Sequence, residues 1–414
     1  MYLIISHVPI YVDGDKTLID TDWKQGLTLL SRSLEGRLGP LYVLSPMLSG
    51  TTARDNQVRV VVTPENDNFR LIPSFDNRCR ARRFWAIERK RWLKDIDRFI
   101  QDAAVVHSGL DDVYKPLSYL GHLKASKAGI PTIYVQDGDI VSRQHDLMKF
   151  QTAAQKMKSI LYTKLFERMN IIGIKSASLV LLKGEALVRR YGHLNRFHKN
   201  FLNTSYSRED IIDKEAHEKR LSSLKTGRRL RLVFCGRLIW EKGVDESIKI
   251  VHGAIKEKID ISLDIIGDGP DRIRLENLVA ELSLINRVRF HGALPYGPGL
   301  LKKLMAADLM VFTSLAEETP RMIFDGYAAG LPLFGYPIGF VVERAHDDGC
   351  CVHTKSSAVA SGVELICSLA ANRDRIIDLS RKARTAALFH CAEAWFKRRA
   401  EWTFEMLERK KASS

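Results

Sequence analysis

Short apolar runs alternate with longer amphipathic stretches along this chain. A short apolar run bounded by turn residues is typical of a buried strand, and an amphipathic stretch is typical of a helix that covers a sheet. Their alternation predicts an α/β protein with parallel sheets. The predicted strands are Tyr2–Ser6, Leu41–Leu44, Arg59–Val62, Ala104–His107, Thr132–Val135, Leu179–Leu182, Arg231–Cys235, Ser262–Ile266, Val288–His291, Leu309–Phe312 and Leu333–Gly335.

The predicted helices lie between these strands, two in the first half of the chain and four in the second. They are Trp23–Leu34, Tyr119–Ala128, Asp245–Ala254, Pro270–Leu282, Leu300–Ala306 and Arg321–Ala329. A polar stretch without a strand, residues 204–228, predicts a linker between two doubly wound, Rossmann-like domains at 1–203 and 229–390. The length of 414 residues also favours two domains. Residues 391–414 predict an amphipathic helix with enough apolar surface to need a docking partner.

The composition excludes several classes of protein. Hydrophobic residues make up 45% and charged residues 27% of the chain, which excludes disordered and low-complexity proteins. The six cysteines form no CxxC pair, so neither a disulfide framework nor a zinc ribbon is expected. Residues 1–9 indicate a first strand, not a signal peptide, and apolar runs such as Ala177–Leu182 are far shorter than the roughly 20 residues that span a bilayer. We therefore expect a cytoplasmic protein.

The net charge of +15 indicates anionic partners. Residues 78–99 combine many basic side chains with aromatic and aliphatic ones. The basic residues are Arg78, Arg80, Arg82, Arg83, Arg89, Lys90, Arg91, Lys94 and Arg98, and the apolar ones are Phe84, Trp85, Ile87, Trp92, Ile96 and Phe99. This pattern predicts either an ordinary surface helix with one core-facing stripe or a helix that lies on an anionic membrane. Nucleic acid is a third candidate partner, but no recognised motif supports it.

Candidate chemistry is concentrated in the second half of the chain. A strand ends at Cys235, Gly236 allows a tight turn, and the cations Arg237 and Lys242 precede a helix. Two cations beside a helix N-terminus, at the carboxyl end of a parallel strand, predict an anion-binding pocket. Arginine offers paired donors to phosphate oxygens, whereas lysine acts as a point charge. The alternative is that both cations only solvate a loop.

Two later segments repeat the order of strand, turn and helix. The first contains Gly267, in a glycine turn that on its own favours a purely structural role. The second carries Glu317 in a loop and Asp325 in the helix that follows. The backbone N–H groups expected at the start of that helix belong to Thr319, Arg321, Met322 and Ile323, and they would face a bound diphosphate. A carboxylate beside phosphates is costly unless it accepts hydrogen bonds from neutral groups, such as sugar hydroxyls.

In order and spacing, the three segments resemble the retaining glycosyltransferases of family 4. The signature of that family in the third segment is two glutamates separated by seven residues, and Glu317-Glu-Thr-Pro-Arg-Met-Ile-Phe-Asp325 keeps its spacing. Further matches are Pro320, Ala328, Gly330 and Pro332, and the resemblance extends from Arg231 to about Pro337. It implies the GT-B fold, in which two Rossmann-like domains face a cleft and a C-terminal helix crosses back to the first domain.

The resemblance also implies roles for individual residues. Arg237 and Lys242 would hold the diphosphate of a nucleotide-sugar donor, and Glu317 would hold hydroxyls of its sugar. Asp325 would take the ribose hydroxyls, and the backbone near Leu294 the base. The whole donor-binding set is Gly236, Arg237, Lys242, Gly267, Leu294, Glu317, Thr319, Met322, Ile323 and Asp325, and the catalytic candidates among them are Glu317, Arg237 and Lys242.

The chain departs from the family pattern at two positions of this signature. Glu318 stands where the family has glycine, and adds a negative charge near the expected phosphates. Asp325 stands in place of the second glutamate. Since aspartate is one methylene shorter, its contact with ribose is expected to lengthen or to pass through water.

The first half offers only weak candidates for the acceptor side, namely Gly14, His107 and Asp137. The triplets Asp13-Gly-Asp15 and Asp137-Gly-Asp139 have the carboxylates of a divalent-cation site, but turn-forming Asp and Gly residues are the favoured interpretation. Because two cations already face the expected leaving group, we expect neither a metal nor a cofactor.

These features predict a retaining glycosyltransferase that moves a sugar from a nucleoside diphosphate to an acceptor hydroxyl. A saccharide or lipid-linked acceptor of bacterial surface polysaccharide, such as exopolysaccharide, capsule or lipopolysaccharide, fits a basic protein at the inner face of the cytoplasmic membrane. The alternatives are a non-catalytic nucleotide-sugar-binding protein, or another GT-B enzyme such as a sugar phosphorylase or epimerase.

Overall fold

The chain folds into two compact units, each built on its own sheet. The computed structural model describes residues 1–49, 59–63, 67–149 and 151–412. The first unit comprises residues 1–203 together with the C-terminal segment from Glu393, and the second comprises Thr204–Ala392. The predicted α/β class is confirmed.

In the part of the first unit that the structure describes, the sheet has ten strands. They are β1 (Tyr2–Ile5), β2 (Ile10–Asp13), β3 (Lys16–Asp20), β4 (Leu41–Ser49), β5 (Arg59–Val62), β6 (Phe69–Asp76), β7 (Val105–Gly109), β8 (Thr132–Gln136), β9 (Leu179–Lys183) and β10 (His198–Phe201). Their order is β10-β9-β8-β7-β1-β4-β2-β3-β5, with β6 paired to β4. All pairs are parallel except β2–β3 and β3–β5. Every strand predicted in this half is present, but β2, β3, β6 and β10 were not predicted.

Seven helices accompany this sheet within residues 1–203 of the described chain. They are α1 (Thr21–Leu34), α2 (Ala81–Arg83), α3 (Arg89–Gln101), α4 (Leu117–Lys127), α5 (Ile140–Met148), α6 (Ala153–Ser176) and α7 (Glu185–Tyr191). A π-helical segment, Phe84–Glu88, joins α2 to α3. In α3, Trp92, Ile96 and Ile100 are buried in the core. Residues 78–99 thus largely form a surface helix with one core-facing stripe.

The sheet of the second unit has six strands, all parallel. They are β11 (Leu230–Cys235), β12 (Ile261–Ile266), β13 (Val288–Phe290), β14 (Leu309–Phe312), β15 (Leu333–Gly335) and β16 (Cys351–His353). The helices are α8 (Lys214–Lys225), α9 (Val244–Lys256), α10 (Arg272–Glu281), α11 (Pro298–Met305), α12 (Met322–Ala328), α13 (Gly339–Asp347), α14 (Val359–Ala371) and α15 (Arg373–His390). The strand order is β13-β12-β11-β14-β15-β16.

The predicted linker, residues 204–228, instead belongs to the second unit and contains helix α8. Asp213 caps this helix by accepting hydrogen bonds from the N–H groups of Glu215 and Ala216. Leu221 and Leu224 are buried in the core of the unit. A stretch that is polar on average therefore folds, because one face of its helix is buried, with two polar residues beside the leucines.

Helix α16 (Ala392–Ala412) packs on the first unit, as the resemblance implied. The ring of Phe396 lies against Gly26, where an added Cβ would come within 3.0 Å of it. The guanidinium of Arg37 stacks 3.7 Å from the centre of the Phe404 ring. Among the described helices of both units, none is long and apolar enough to cross a membrane.

Candidate functional site

The second sheet has a topological switch point at its centre. From β11 the chain builds the sheet in one direction through β12 and β13, and then returns to add β14, β15 and β16 on the other side of β11. In open parallel sheets of this kind, ligands bind outside the carboxyl ends of the strands at the switch point. The two loops at this place, residues 236–243 after β11 and 313–321 after β14, carry Arg237, Lys242 and Glu317. The three residues predicted to be catalytic therefore lie on adjacent loops.

The Gly-x-Gly turn after β12 is required by close packing of the backbone. Gly267 has a φ of +145°, and an added Cβ there would lie 1.8 Å from the carbonyl oxygen of Gly236. An added Cβ at Gly269 would lie 2.2 Å from the carbonyl oxygen of Leu238. The loops after β11 and β12 therefore fit together only without side chains at these positions.

The loop after β11 is also fixed to the loop after β14. Gly243 is left-handed, with a φ of +60°, and an added Cβ would lie 2.1 Å from the carbonyl oxygen of Thr313. The hydroxyl of Thr313 donates to the carbonyl of Gly243 over 2.7 Å, and the N–H of Leu315 donates to the carbonyl of Glu241 over 2.9 Å. These contacts hold Lys242, just before Gly243, beside the residues that follow β14.

The two cations of the site differ in their surroundings. The ammonium group of Lys242 forms an ion pair with the carboxylate of Glu318, and both side chains are about one-fifth exposed, at 21%. Arg237 is exposed, and its guanidinium has no hydrogen bond or ion pair with the residues that the structure describes. Arg237 is thus free to meet an anion, whereas Lys242 already has a partner.

Glu317 caps a helix that the sequence did not predict. Its carboxylate oxygens accept hydrogen bonds from the N–H of Gly339 over 2.7 Å and from the N–H of Phe340 over 3.0 Å. Both N–H groups belong to the first turn of α13, where backbone donors lack partners within the helix. The sequence signal for α13 is Gly339, two residues after Pro337, which opens an amphipathic run.

Asp325 lies in α12 and is only 2% exposed. Burial, together with the negative charge of Asp325, raises the pKa of the Cys235 thiol to about 12. Because Cys235 ends β11, this carboxylate lies near the start of the loop that carries Arg237. Helix α12 begins one residue later than predicted, at Met322, and Ile323 is buried.

The remaining donor-side candidates lie on the loops around these residues. Thr319 is half-buried in the loop before α12, and Leu294 is half-buried in the loop after β13. The latter loop is fixed to the Gly-x-Gly turn, since the N–H of Gly267 donates to the carbonyl of Gly292 over 2.8 Å.

The candidates in the first unit lie on three different parts of its sheet, two in loops and one in a strand. Gly14, with a φ of +56°, forms the tip of the β2–β3 hairpin. His107 lies in β7, where its Nδ1 is 2.8 Å from the hydroxyl of Tyr2; burial and the charge of Arg399 lower its pKa to about 3. A neutral imidazole with this pKa is a poor acceptor of protons near neutral pH.

Asp137 follows β8 and is half-exposed. Its Oδ1 accepts from the side-chain amide of Asn203 over 2.9 Å and lies 3.5 Å from the ammonium of Lys183. The charge of Asp137 also acts on His7, a histidine that the sequence analysis did not single out. Burial lowers the pKa of His7, but the hydrogen bond and charge of Asp111, aided by Asp137, outweigh it and raise that pKa.

The Asp-x-Asp triplets have structural roles. Asp139 caps α5 by accepting from the N–H of Ser142 over 2.9 Å, and it pairs with Arg190 over 2.8 Å. Asp13 and Asp15 flank the hairpin turn at Gly14. Within the described ranges, no group of three or more His, Cys, Asp or Glu side chains is arranged to hold a metal ion.

Comparison with known proteins agrees with this geometry. Residues 215–386 match the family described as glycosyl transferases group 1. The matched stretch lies within the second unit and contains all three loops of the site. It therefore supports the prediction of a glycosyltransferase.

The similarity to individual relatives is local in sequence. The lipopolysaccharide core biosynthesis glycosyltransferase LpsD of Rhizobium meliloti (strain 1021) is 38% identical over 101 residues, which is 24% of this chain and 27% of that protein. The chain spans about a quarter of the length of this relative and of two further curated relatives that it matches.

The similarity of fold extends over nearly the whole chain. Anabaena Alr3699/HepE, solved in complex with UDP and glucose, is 16% identical, with a TM-score of 0.61, over 98% of this chain and 99% of that one. WaaG, a glycosyltransferase involved in lipopolysaccharide biosynthesis, is 13% identical, with a TM-score of 0.64, over 97% and 99%. The predicted GT-B fold is therefore confirmed.

Proposed function

We propose that this protein is a retaining glycosyltransferase of family 4 that transfers a sugar from a nucleoside-diphosphate sugar to an acceptor hydroxyl. The observation that carries the proposal is the pair of cations at the switch point of the second sheet, where Arg237 is exposed and free of ion pairs among the described residues. A diphosphate matches this position in charge and geometry. The complex of Alr3699/HepE with UDP and glucose supports a nucleotide-sugar ligand for the fold.

The residues of the site have separate tasks in this reaction. Arg237 and Lys242 stabilise the negative charge that grows on the diphosphate as its bond to the anomeric carbon breaks. The acceptor oxygen forms its bond to the same face of that carbon, and its proton passes to the leaving phosphate oxygen. We assign Glu317 to the sugar hydroxyls and Asp325 to the ribose, as the resemblance to family 4 implies.

The proposed acceptor is a saccharide or lipid-linked intermediate of bacterial surface polysaccharide. The support is the naming of LpsD and WaaG in lipopolysaccharide biosynthesis. The proposed location is cytoplasmic, with peripheral attachment to the inner face of the membrane. Within residues 78–99, Trp85 and Ile87 support this attachment, because they are 40% and 58% exposed while the guanidinium of Arg89 lies 5.2 Å from the Trp85 ring centre.

Calorimetry with UDP, GDP and ADP in the presence of EDTA tests the donor site. We expect one nucleotide to bind without metal, and Arg237→Ala to weaken its binding about tenfold or more, as loss of a charged hydrogen-bonding partner requires. Arg375→Ala is the matched control, since Arg375 is an exposed arginine of the same unit on α15. Absence of binding by all three nucleotides would overturn the donor site.

Turnover assays with the nucleotide sugar then separate the proposed activity from its rivals. Transfer should require an acceptor and retain the anomeric configuration. Conversion of the donor sugar without acceptor would indicate an epimerase, and dependence on inorganic phosphate would indicate a phosphorylase. Binding without turnover on any tested saccharide or lipid-linked acceptor would indicate a non-catalytic nucleotide-sugar-binding protein.

A further inference from the structure

Helix α6 (Ala153–Ser176) of the first unit has two opposite apolar faces. One face is held in the core, where Phe166, Asn170, Gly173 and Ile174 are buried. Asn170 accepts a hydrogen bond of 3.0 Å from the hydroxyl of Tyr134, and an added Cβ at Gly173 would lie 2.4 Å from the Tyr134 ring. The rotation of the helix is therefore fixed, and the residues opposite this face must point to solvent.

The outward face carries large aliphatic side chains that remain exposed. They are Met157 at 72%, Ile160 at 41%, Leu161 at 71%, Leu165 at 46% and Ile172 at 44%. With 3.6 residues per turn, these five side chains lie within an arc of about 140°, opposite the buried face. Exposed leucines scattered singly are ordinary, but a stripe along one helix marks an interaction surface.

Basic side chains are interleaved with this stripe. They are Lys156, Lys158, Lys164, Arg168 and Lys175, all exposed, while α6 contains a single acidic residue, Glu167. In the part of the chain that the structure describes, none of these five cations forms an ion pair. The stripe therefore presents apolar and positively charged groups together, without the carboxylates that would neutralise them.

The stripe continues onto the exposed aromatic residues near residues 78–99. The rings of Tyr162 in α6 and Tyr114 lie 5.7 Å apart, and Tyr114 is 48% exposed. The carbonyl of Tyr114 accepts a 2.9 Å hydrogen bond from the indole N–H of Trp85. An aromatic residue with one polar contact and an exposed ring is typical of a protein at a lipid–water boundary.

We propose that this surface, the α6 face with Trp85 and Tyr114, lies on an anionic lipid bilayer. The aliphatic side chains enter the boundary between headgroups and acyl chains, and the lysines reach to the anionic headgroups. Two copies of the chain packed face to face would bring the same cations against each other, which disfavours a self-interface. This proposal rests on the membrane attachment proposed above and places its main contact on α6 instead of on residues 78–99.

Cosedimentation with lipid vesicles tests the aliphatic part of the surface. The vesicles contain phosphatidylcholine alone or mixed with phosphatidylglycerol. We expect the full chain to bind the mixed vesicles, and the double variant Leu161→Gln with Leu165→Gln to bind them at least about tenfold more weakly, since two apolar side chains no longer leave water. The matched control is Ile273→Gln with Ile285→Gln, two aliphatic residues of the second unit that are 73% and 72% exposed.

A second pair of variants tests the charge. We expect Lys158→Gln with Lys164→Gln to lower binding to the mixed vesicles by about fivefold per lysine and to leave binding to phosphatidylcholine unchanged. The control is Lys302→Gln with Lys303→Gln, two exposed lysines of α11, which should change binding to neither kind of vesicle. Equal binding of wild type and α6 variants to both vesicles would overturn the proposal. So would a wild-type dimer in light scattering that the α6 variants dissociate.

Nucleotide calorimetry on the same α6 variants keeps this proposal apart from the donor site. We expect the Leu161/Leu165 variant to retain the nucleotide affinity and melting temperature of the wild type, since these residues lie in the first unit and are exposed. If the wild type binds no nucleotide, the proposed donor site is wrong, but the vesicle experiment still tests the membrane surface. If the α6 variants bind vesicles as strongly as the wild type, the proposed membrane surface is wrong, but the proposed donor site is unaffected.

Discussion

At the scale of single residues, the site combines two glutamates with different partners. Glu317 accepts from the backbone of α13, whereas Glu318 forms an ion pair with Lys242. The sequence indicated Glu317, Arg237 and Lys242 because each is a charged residue in a loop between a predicted strand and a predicted helix. It gave no reason for Glu318, because an ion pair between two loops depends on the fold that brings them together.

The pair with Lys242 leads to a prediction for Glu318→Gly. Bound diphosphate must compete with the Glu318 carboxylate for the ammonium group, so removing that carboxylate should raise nucleoside-diphosphate affinity by about tenfold. Calorimetry with the nucleotide that the wild type binds measures this change. Glu318→Gln is the control for side-chain size, and it should raise affinity in the same direction because it also lacks the charge. An unchanged affinity in both variants would mean that Lys242 does not contact the nucleotide.

At the scale of elements, the strands and helices predicted from sequence are those with a single clear periodicity. Strand β6 was missed because Pro73 interrupts its pattern, and among the described strands β6 pairs with β4 alone. Helix α6 has apolar residues on two opposite faces, so its sequence lacks the one-sided stripe that indicates an amphipathic helix. The turn between β11 and α9 was predicted as a tight glycine turn, but its contact with Thr313 depends on the neighbouring strand β14.

That contact predicts the effect of Gly243→Ala. Alanine at φ +60° costs about 1–2 kcal/mol in backbone strain, and at this position its Cβ would also collide with the carbonyl oxygen of Thr313. We expect a total loss of about 3 kcal/mol or more in unfolding free energy, together with weaker nucleotide binding. Gly227→Ala separates the two causes, because Gly227 has a φ of +74° and nothing within 4 Å of an added Cβ. Equal losses in urea unfolding for both variants would show that the contact with Thr313 does not matter.

At the scale of the whole molecule, the chain consists of two α/β units, and the sequence predicted their division at residue 203. It did not predict that residues 204–228 fold with the second unit, because one short helix anchored by two leucines has a polar average composition. The charge of +15 predicted an anionic partner but not its location. Residues 78–99 and α6 are both basic and both have a buried face, and the longer row of exposed aliphatic side chains on α6, which includes Leu161 at 71%, distinguishes them.

Each unit also buries a neutral histidine, which makes the stability of the protein depend on pH. Burial lowers the pKa of His122 to about 4, although its hydrogen bond to the carbonyl of Gly173 opposes this shift. Burial, helped by the charge of Arg220, lowers the pKa of His217 to about 4. Between pH 6.5 and 4 these histidines therefore bind protons in the unfolded chain but not in the folded chain. The free energy of unfolding must fall as the pH falls through this window.

Unfolding free energies measured across this window test the role of His122. The wild type should lose about 3 kcal/mol through this residue between neutral pH and pH 4, and His122→Gln should show a correspondingly flatter dependence. Glutamine can still bond to Ser108 and Gly173 but cannot take up a proton, so it separates protonation from packing. His193→Gln, an exposed histidine of the same unit, should leave the slope unchanged. If His122→Gln and His193→Gln have the same pH dependence as the wild type, the buried imidazole is not the group whose protonation destabilises the first unit.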